Sequence, residues 1–577
     1  MLRDQDLLSL QEVRTKVEQA WSAWQEFRRF NQQQLDEIVE RMGEAGRAHA
    51  VELAELAVSE TGMGNVPDKT AKNLLNADLL PKALRGMKTA GILRELPEDH
   101  MVEAGEPVGV IGAVLPTTNP TSTAIYKAII ALKAGNAIVM SPHPRARQCT
   151  ARTAALMNRA AVEAGAPEGL VQCVENPTLE STTALMKHEK VALILSTGGS
   201  GIVKAAYSSG KPAFGVGPGN VPVLVDESAD LKDAIRKVVS GKSFDYGTVC
   251  SSEQTLVAVA SLRDRILSEL DANRAFLCPA EQAAALARTL FSHGTTVSSR
   301  CVGQSPQVIA KLAGFEIPAD TTILCAEIHG YGREHPLSAE KLSPVLALLF
   351  VKDREEALRA CEGILRFGGL GHTCVIHARD EAFVREFGLR MPAFRVLVNT
   401  ASPQGSTGIT TGVMPSMTLG CGAIAGNITG DNIGPRHLMN TKRIAWGFRE
   451  AGDVLQLPPA DGERAAPAAS VERDTVMAAV EQYLAARGLR WSDVMAGDPR
   501  PGARAAGSGG SACGCGCAGK APPPPAEPAP AAFVSEADVR AAMEANRTIP
   551  VGPKTIITPA ARDLASRSGI LVTAKGS

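Results

Sequence analysis

A thiol among small, polar neighbours is the group in this chain best suited to covalent chemistry. Cys250 stands in FDYGTVCSSEQ (244–254), where the neighbours leave room for a small carbonyl compound beside the sulfur. A thiolate is both a strong nucleophile and a good acyl carrier, so it can split one difficult transfer into two easier ones. Free cysteine titrates at about 8.5, so such a site must favour the thiolate through N–H donors or nearby positive charge. Other short stretches carry groups that could assist. LPTTNP (115–120) ends an apolar run and presents Asn119, whose amide could donate to a developing oxyanion or merely cap a helix. TGGSG (197–201) places Gly198, Gly199 and Gly201 where a strand meets a helix, so free backbone N–H groups there suit a phosphate. The same string also suits an unliganded tight turn. EKLSP (340–344) offers Glu340 as an acceptor for ribose hydroxyls, and GGLGHT (368–373) sets His372 in a loop that allows close approach. GVGPGN (215–220) precedes a strand rather than a helix and reads as a close-approach turn.

The elements that must hold these groups follow from the hydrophobic pattern. From about 105 to 226 short apolar runs alternate with helical ones: PVGVIGAVLP, TSTAIYKAIIALKAG, NAIVMSP, ARTAALMNRAAVEAG, GLVQCV, TTALMKH, VALILS and VPVLVD. That rhythm predicts a doubly wound parallel sheet. Thr121 or Ser122 is the expected cap of the first long helix and Gly135 its stop. Helical periodicity over 8–60 precedes the sheet, so residues 1–226 are expected to form N-terminal helices plus a nucleotide-binding α/β domain. Residues 227–421 form a second α/β domain containing Cys250, and 422–452 return to pack on the first. A helix and a linker rich in Pro, Ala and Gly fill 453–532. Patterning resumes over 533–577, where Ser535 and Thr558–Pro559 are helix starts and Ala561, Leu564 and Ala565 share a face. This tail reads as a docking segment, or as a helix folding back on its own subunit.

Composition removes several function classes. At 577 residues the chain exceeds one ordinary core, and a net charge of −1 gives no basic surface for nucleic acid. The start is charged and amphipathic, without the apolar stretch of a signal peptide, and no run of about 18 apolar residues is present to span a membrane. A cytoplasmic location is expected. Of twelve cysteines, nine are scattered singly in the globular part, which suits buried thiols in a reducing compartment. The other three form CGCGC (513–517); this could bind a soft metal or cross-link, but a solvated linker with incidental thiols is the plainer reading, and no metal site is expected.

Taken in order, LPTTNPTSTAIYKAIIALKAGN, SPHPRA, STGGSGIVKAAYSSGKPAFGVGPGN, FDYGTVCSSEQ, EKLSP, GGLGHT and PSMTLGCGAIAGN closely resemble the aldehyde dehydrogenase superfamily, in its CoA-acylating branch. The pattern is similar to the propionaldehyde and acetaldehyde dehydrogenases of bacterial microcompartments, and to the aldehyde-oxidising half of bifunctional aldehyde–alcohol dehydrogenases. It spans roughly residues 30–450. The resemblance implies an NAD-binding domain, a catalytic domain and a flexible C-terminal extension. It implies that Cys250 attacks the aldehyde, that Asn119 and the Cys250 N–H hold the oxyanion, and that Glu340 holds the nicotinamide ribose. It further implies that Ser196, Gly198, Gly199 and Gly201 lie in the pyrophosphate turn, that Ser141 and Pro142 face the adenosine ribose, and that His372 assists the CoA step. Cys421 is expected in the wall of the same cavity. Hydrolytic members carry a glutamate that activates water; aligning Pro222 puts Val216 there, and an apolar residue takes no proton. CoA is then the expected acceptor and a short aliphatic aldehyde the expected substrate, with sulfoacetaldehyde or a non-catalytic scaffold as alternatives. A homo-oligomer without an alcohol dehydrogenase domain is expected, with TIITPAARDLASRSGILV recruiting it into a microcompartment lumen through shell or core enzymes.

Overall fold

The computed structural model describes residues 4–291 and 294–455, and beyond them 477–478, 481–482, 485, 531, 533–545, 547–552, 555–565 and 570–573. The expected helix at 471–489 is described at only five positions, and CGCGC and the linker around it lie outside the described residues. Two compact units divide the chain, 1–457 and 458–577.

In the first unit a hairpin, β1 (Gly91–Leu96) and β2 (Met101–Pro107), precedes a five-stranded parallel sheet of β3 (Val110–Val114), β4 (Ala137–Ser141), β5 (Val171–Cys173), β6 (Val191–Thr197) and β7 (Ala213–Val216), in the order β5-β4-β3-β6-β7. β3 and β4 are buried along their whole length, as strands covered on both faces should be. Strand order reverses between β3 and β6, and a doubly wound sheet opens its ligand crevice at the carboxyl ends of such a pair. Lys127 pins that point: its fully buried Nζ donates to Val114 O at 2.7 Å and Leu195 O at 2.8 Å.

A seven-stranded parallel sheet follows: β8 (Val221–Val225), β9 (Glu253–Val259), β10 (Ala275–Leu277), β11 (Ile323–Ile328), β12 (Val345–Val351), β13 (Gly371–His377) and β14 (Ala393–Val398), in the order β10-β11-β12-β9-β8-β13-β14. The sequence reading placed VPVLVD at the end of the first α/β region. Instead β8 sits in the middle of the second sheet between β9 and β13, because its continuous apolar run needs both faces and both edges covered. Pro222, which has no N–H to give a ladder, falls where the pairing with β9 slips by a residue. β15 (Met439–Ala445) returns to extend the hairpin along β2, and nearby Tyr126 Oη donates to Ile433 O at 2.5 Å.

The second unit contains two copies of a strand–helix–strand motif. β16 (Phe533–Val534) pairs parallel with β18 (Ile556–Ile557), and β17 (Ile549–Val551) with β19 (Leu571–Thr573). Ser535 starts the helix Glu536–Glu544 with a capping box to Asp538, and Thr558 Oγ1 accepts from Ala561 N at 3.3 Å at the start of Pro559–Ala565. Val534, Val539, Ala561 and Ala565 form the core. The tail is thus part of a packed β/α unit, not a lone amphipathic helix. No helix among the described residues is long and apolar enough to cross a membrane.

Candidate active site

The carboxyl ends of β3 and β6 face the amino-terminal ends of β9 and β12, and a cavity of about 560 Å³ lies between them. Its lining takes Asn119 from the loop after β3, Pro142 from the loop after β4, Gly198 and Gly199 from the turn after β6, Cys250 from just before β9 and Glu340 from the loop before β12. Ser141 and Ser196 lie one layer deeper and do not line it, and neither does Gly201. Ser141 Oγ is spent on Thr182 Oγ1 at 2.8 Å, whereas Ser196 Oγ is buried without a partner among the described residues. A β-strand end alternates its faces, so a motif string does not say which residue turns into the crevice.

Asn119 occupies the N-cap position of the helix Pro120–Lys133, where Thr121 or Ser122 had been expected, yet its side chain makes no capping bond. Its Nδ2 donates to Thr118 Oγ1 at 3.0 Å and to Thr248 O at 3.3 Å, two residues before Cys250. Asn119 is therefore not simply a helix cap. The helix Ser200–Tyr207 likewise starts without a side-chain cap, and a Cβ on Gly199 or Gly201 would meet nothing within 4 Å. No described side chain caps its first N–H groups, which fits the pyrophosphate of a dinucleotide.

Cys250 is half-buried, and its thiol is pushed up to about 12, by burial first and then by Glu340 and Cys421, against the pull of Arg395. Burial pushes the Glu340 carboxyl up to about 8, although Gly219 N donates to its Oε1 at 3.2 Å. Gly219 has to be glycine: a Cβ there would stand 2.4 Å from Cys250 O and 3.0 Å from the His372 ring. GVGPGN is the close-approach turn its sequence suggested. His372 is fully buried behind it and does not line the cavity; burial pushes the imidazole down to about 3, and its Nε2 has no partner among the described residues. Cys421 also lies behind the lining, at the Gly217 backbone. Val216 does line it, and among the described residues Glu340 is the only carboxylate that does.

Sequence reasoning missed the network beneath Asn119. Lys69 and Lys72, from the helix Val66–Leu74, are both 2% exposed and both reach the buried Asp245 carboxylate, Lys69 at 3.0 Å. Burial opposes the charge on Asp245, but the two ammoniums overcome it and hold the carboxyl below its usual range. Asp245 and Tyr246 adopt positive φ (48° and 52°), and Gly64 makes room for the carboxylate, which a Cβ would meet at 2.0 Å. Two successive non-glycine residues in that region cost about 1–3 kcal/mol each, a strain that recurs where function fixes the backbone. Asp245→Ala, which strands two buried ammoniums, is expected to lower unfolding free energy by about 3–5 kcal/mol in urea titrations; a loss under about 1 kcal/mol would contradict the network. The only signal in sequence was a pair of lysines one helical turn apart, which reads as a solvated face.

Comparison with known proteins gives the family and the fold. The profile of the aldehyde dehydrogenase family matches residues 5–279. The bifunctional aldehyde-alcohol dehydrogenase AdhE of Escherichia coli is 41% identical over 442 residues, 76% of this chain and 50% of that one. The chain thus spans about half the length of that curated relative. An acetylating aldehyde dehydrogenase from Geobacillus thermoglucosidasius is 48% identical, with a TM-score of 0.77 over 78% of this chain and 99% of that one. A propionaldehyde dehydrogenase from Rhodopseudomonas palustris, solved with bound propionyl-CoA, is 30% identical, with a TM-score of 0.69 over 75% of this chain and 94% of that one. With its paired parallel sheets and a cysteine and an asparagine amide in one crevice, the chain belongs to the aldehyde dehydrogenase family.

Proposed function

We propose that the chain oxidises a short-chain aldehyde with NAD and passes the acyl group to CoA, with Cys250 as nucleophile. The observation that carries this reading is the cavity lining: a thiol and an asparagine amide in one cavity, with Val216 also in its wall and no carboxylate but Glu340 among the described lining residues. The Cys250 sulfur bonds to the aldehyde carbon, giving a thiohemiacetal whose oxygen takes hydrogen bonds from Asn119 Nδ2 and the Cys250 N–H. NAD would be held at Gly198, Gly199, Pro142 and Glu340 and would supply the hydride acceptor, so that oxidation at the former aldehyde carbon leaves a thioester on Cys250. The CoA thiol then bonds to the acyl carbon, the Cys250–acyl bond breaks, and Cys250 leaves as the thiolate. The sum is aldehyde, NAD and CoA to acyl-CoA, NADH and a proton.

Water is the poorer acceptor here. Glu340, engaged by Gly219 N–H, is the only acid among the described lining residues; Val216, Val249, Met417 and Leu419 are apolar, and the imidazole of His143, on the loop after β4, accepts from Arg145 N through Nδ1. His372 would have to act past Gly219, and an imidazole held near 3 takes a proton from a thiol poorly. Propionaldehyde and acetaldehyde are the favoured substrates; one methylene is worth only about 1–3 kcal/mol, so both are used. The chain is proposed to self-associate, supported by the exposed Ile444, Trp446 and Phe448 on and just after edge strand β15. The second unit is proposed as the element that recruits the enzyme to a microcompartment lumen, supported by its own core and caps.

The reading is tested by NADH formation and acyl-CoA mass across acetaldehyde, propionaldehyde, butyraldehyde and sulfoacetaldehyde. Acyl-CoA from the two- and three-carbon aldehydes supports it; turnover with sulfoacetaldehyde alone overturns the aliphatic assignment. Glu340→Gln gives an independent check. The carboxyl becomes anionic above about pH 8 and then opposes the thiolate, so the variant alkylates with iodoacetamide severalfold faster than wild type at about pH 9 and equally at about pH 6.5. Above about pH 8, where the wild-type carboxyl is anionic, NAD binding weakens by about tenfold in the same variant, from loss of the charged acceptor. Equal alkylation at both pH values would contradict the assigned charge.

A further inference from the structure

We propose that Lys72 is a positioning residue for the reaction: it fixes which end of the Asn119 amide faces Cys250 and polarises that amide as an oxyanion donor. The inference rests on the reading of Cys250 as nucleophile and Asn119 as donor.

Lys72 Nζ donates to Asn119 Oδ1 at 2.6 Å, to Thr248 Oγ1 at 3.3 Å and to the Asp245 carboxylate. An ammonium has three donors and no acceptor, so the amide atom that faces it must be the oxygen. An asparagine amide left to itself can flip, and flipping would turn a carbonyl oxygen toward the developing oxyanion. Lys72 removes that alternative and leaves Nδ2 on the side of Thr248 O, next to Cys250. A cation on the amide oxygen also withdraws electron density from the N–H, strengthening the bond it donates. The ammonium is itself held. Asp245 accepts from Asn65 N at 2.9 Å, from Lys69 Nζ at 3.0 Å and from Thr248 Oγ1 at 2.5 Å, so the carboxylate cannot swing away. Thr248 closes the circuit, since its hydroxyl touches Asp245 and Lys72 while its carbonyl accepts from Asn119. Lys69 is the contrast: it pairs with the same carboxylate and with Thr118 O at 2.9 Å but gives nothing to the amide oxygen. Removing Lys72 still leaves the Lys69–Asp245 pair intact, so Lys72→Met does not strand a buried carboxylate.

The test is a double-mutant cycle of Lys72→Met with Asn119→Ala on the full chain, read by kcat and KM for propionaldehyde with NAD and CoA. Alkylation of Cys250 by iodoacetamide, which forms no oxyanion, is the second readout, and Lys69→Met is the stability control. Lys72→Met is expected to lower kcat by about 10- to 100-fold, less than loss of the amide itself, with KM and alkylation within about twofold of wild type. In the Asn119→Ala background it is expected to add less than about twofold, because there is no amide left to position. Losses that multiply in the double variant, unchanged kcat in Lys72→Met, or an equal loss in Lys69→Met would overturn the proposal. So would alkylation falling in step with turnover, which marks general damage to the site. Should Lys72→Met not fold, Lys72→Gln carries the same cycle with the same non-additivity expected. Wild type that makes no NADH from any aldehyde sinks the underlying reading and this inference with it; active wild type with multiplicative losses sinks this inference alone.

Discussion

Replacing Cys250 with alanine is expected to abolish aldehyde-dependent NADH formation, lowering turnover by about 10⁴-fold or more, because no other thiol is among the described residues that line the cavity. Eight other cysteines of the first unit are buried, so they cannot substitute for it. The change removes one sulfur from a half-buried position and leaves the contact of Gly219 with the residue 250 carbonyl in place, so thermal unfolding should move little. NAD binding, followed by quenching of intrinsic fluorescence, should be retained. This variant separates the enzyme from the alternative of a non-catalytic scaffold. A scaffold predicts that Cys250→Ala keeps every measurable property of wild type, whereas the geometry predicts a protein that binds NAD and does nothing with it. Residual turnover above about 1% of wild type would mean that the nucleophile lies elsewhere.

The second large effect is at Asn119. Asn119→Ala is expected to lower kcat by about 10²–10³-fold with KM nearly unchanged, since the amide is needed where charge develops rather than where the substrate first rests. The structural ground is that the side chain is not used as a cap, although the residue stands at the N-cap position. Helix stability therefore should not follow the cap residue here. What the variant does lose is the acceptor for Lys72, and an unmet buried donor costs about 1–3 kcal/mol, visible in urea titration. A rise in KM with kcat preserved would show that Asn119 binds substrate instead of stabilising the transition state.

The parts of this site that were legible in sequence share one property: they are short loops at strand ends. LPTTNP, SPHP, TGGSG, TVC and EKL each contribute to the cavity wall because a parallel sheet delivers its loops to fixed faces. Which residue within a loop turns inward was not legible. Pro142, Gly198 and Gly199 face the cavity while Ser141, Ser196 and Gly201 do not, a distinction set by backbone direction over one or two residues. His372 shows the same limit, since a Gly-rich loop allows close approach without saying whether a ring points at the ligand or is sealed behind Gly219. Sheet membership of VPVLVD was hidden because a uniformly apolar strand carries no mark of its partners. Lys72 was hidden for the opposite reason. Its partners, Asn119, Thr248 and Asp245, are remote in sequence, and nothing local distinguishes a buried lysine from one in water. In the second unit the strands are two or three residues long, too short for an alternating pattern, so only the helix starts at Ser535 and Thr558 and the apolar face of Ala561, Leu564 and Ala565 could be read.

The central claim is that Cys250 carries the acyl group and that nothing in the cavity hands it to water. The most direct test mixes enzyme with excess propionaldehyde and NAD without CoA, follows NADH in a stopped-flow instrument, and adds CoA after the first phase. A burst of about one NADH per active site, a stall, and renewed turnover on adding CoA is the predicted result. Continued turnover during the CoA-free phase, at a rate comparable with that after CoA, would contradict the claim and place a water-activating group in a cavity where Glu340 is the only carboxylate among the described lining residues.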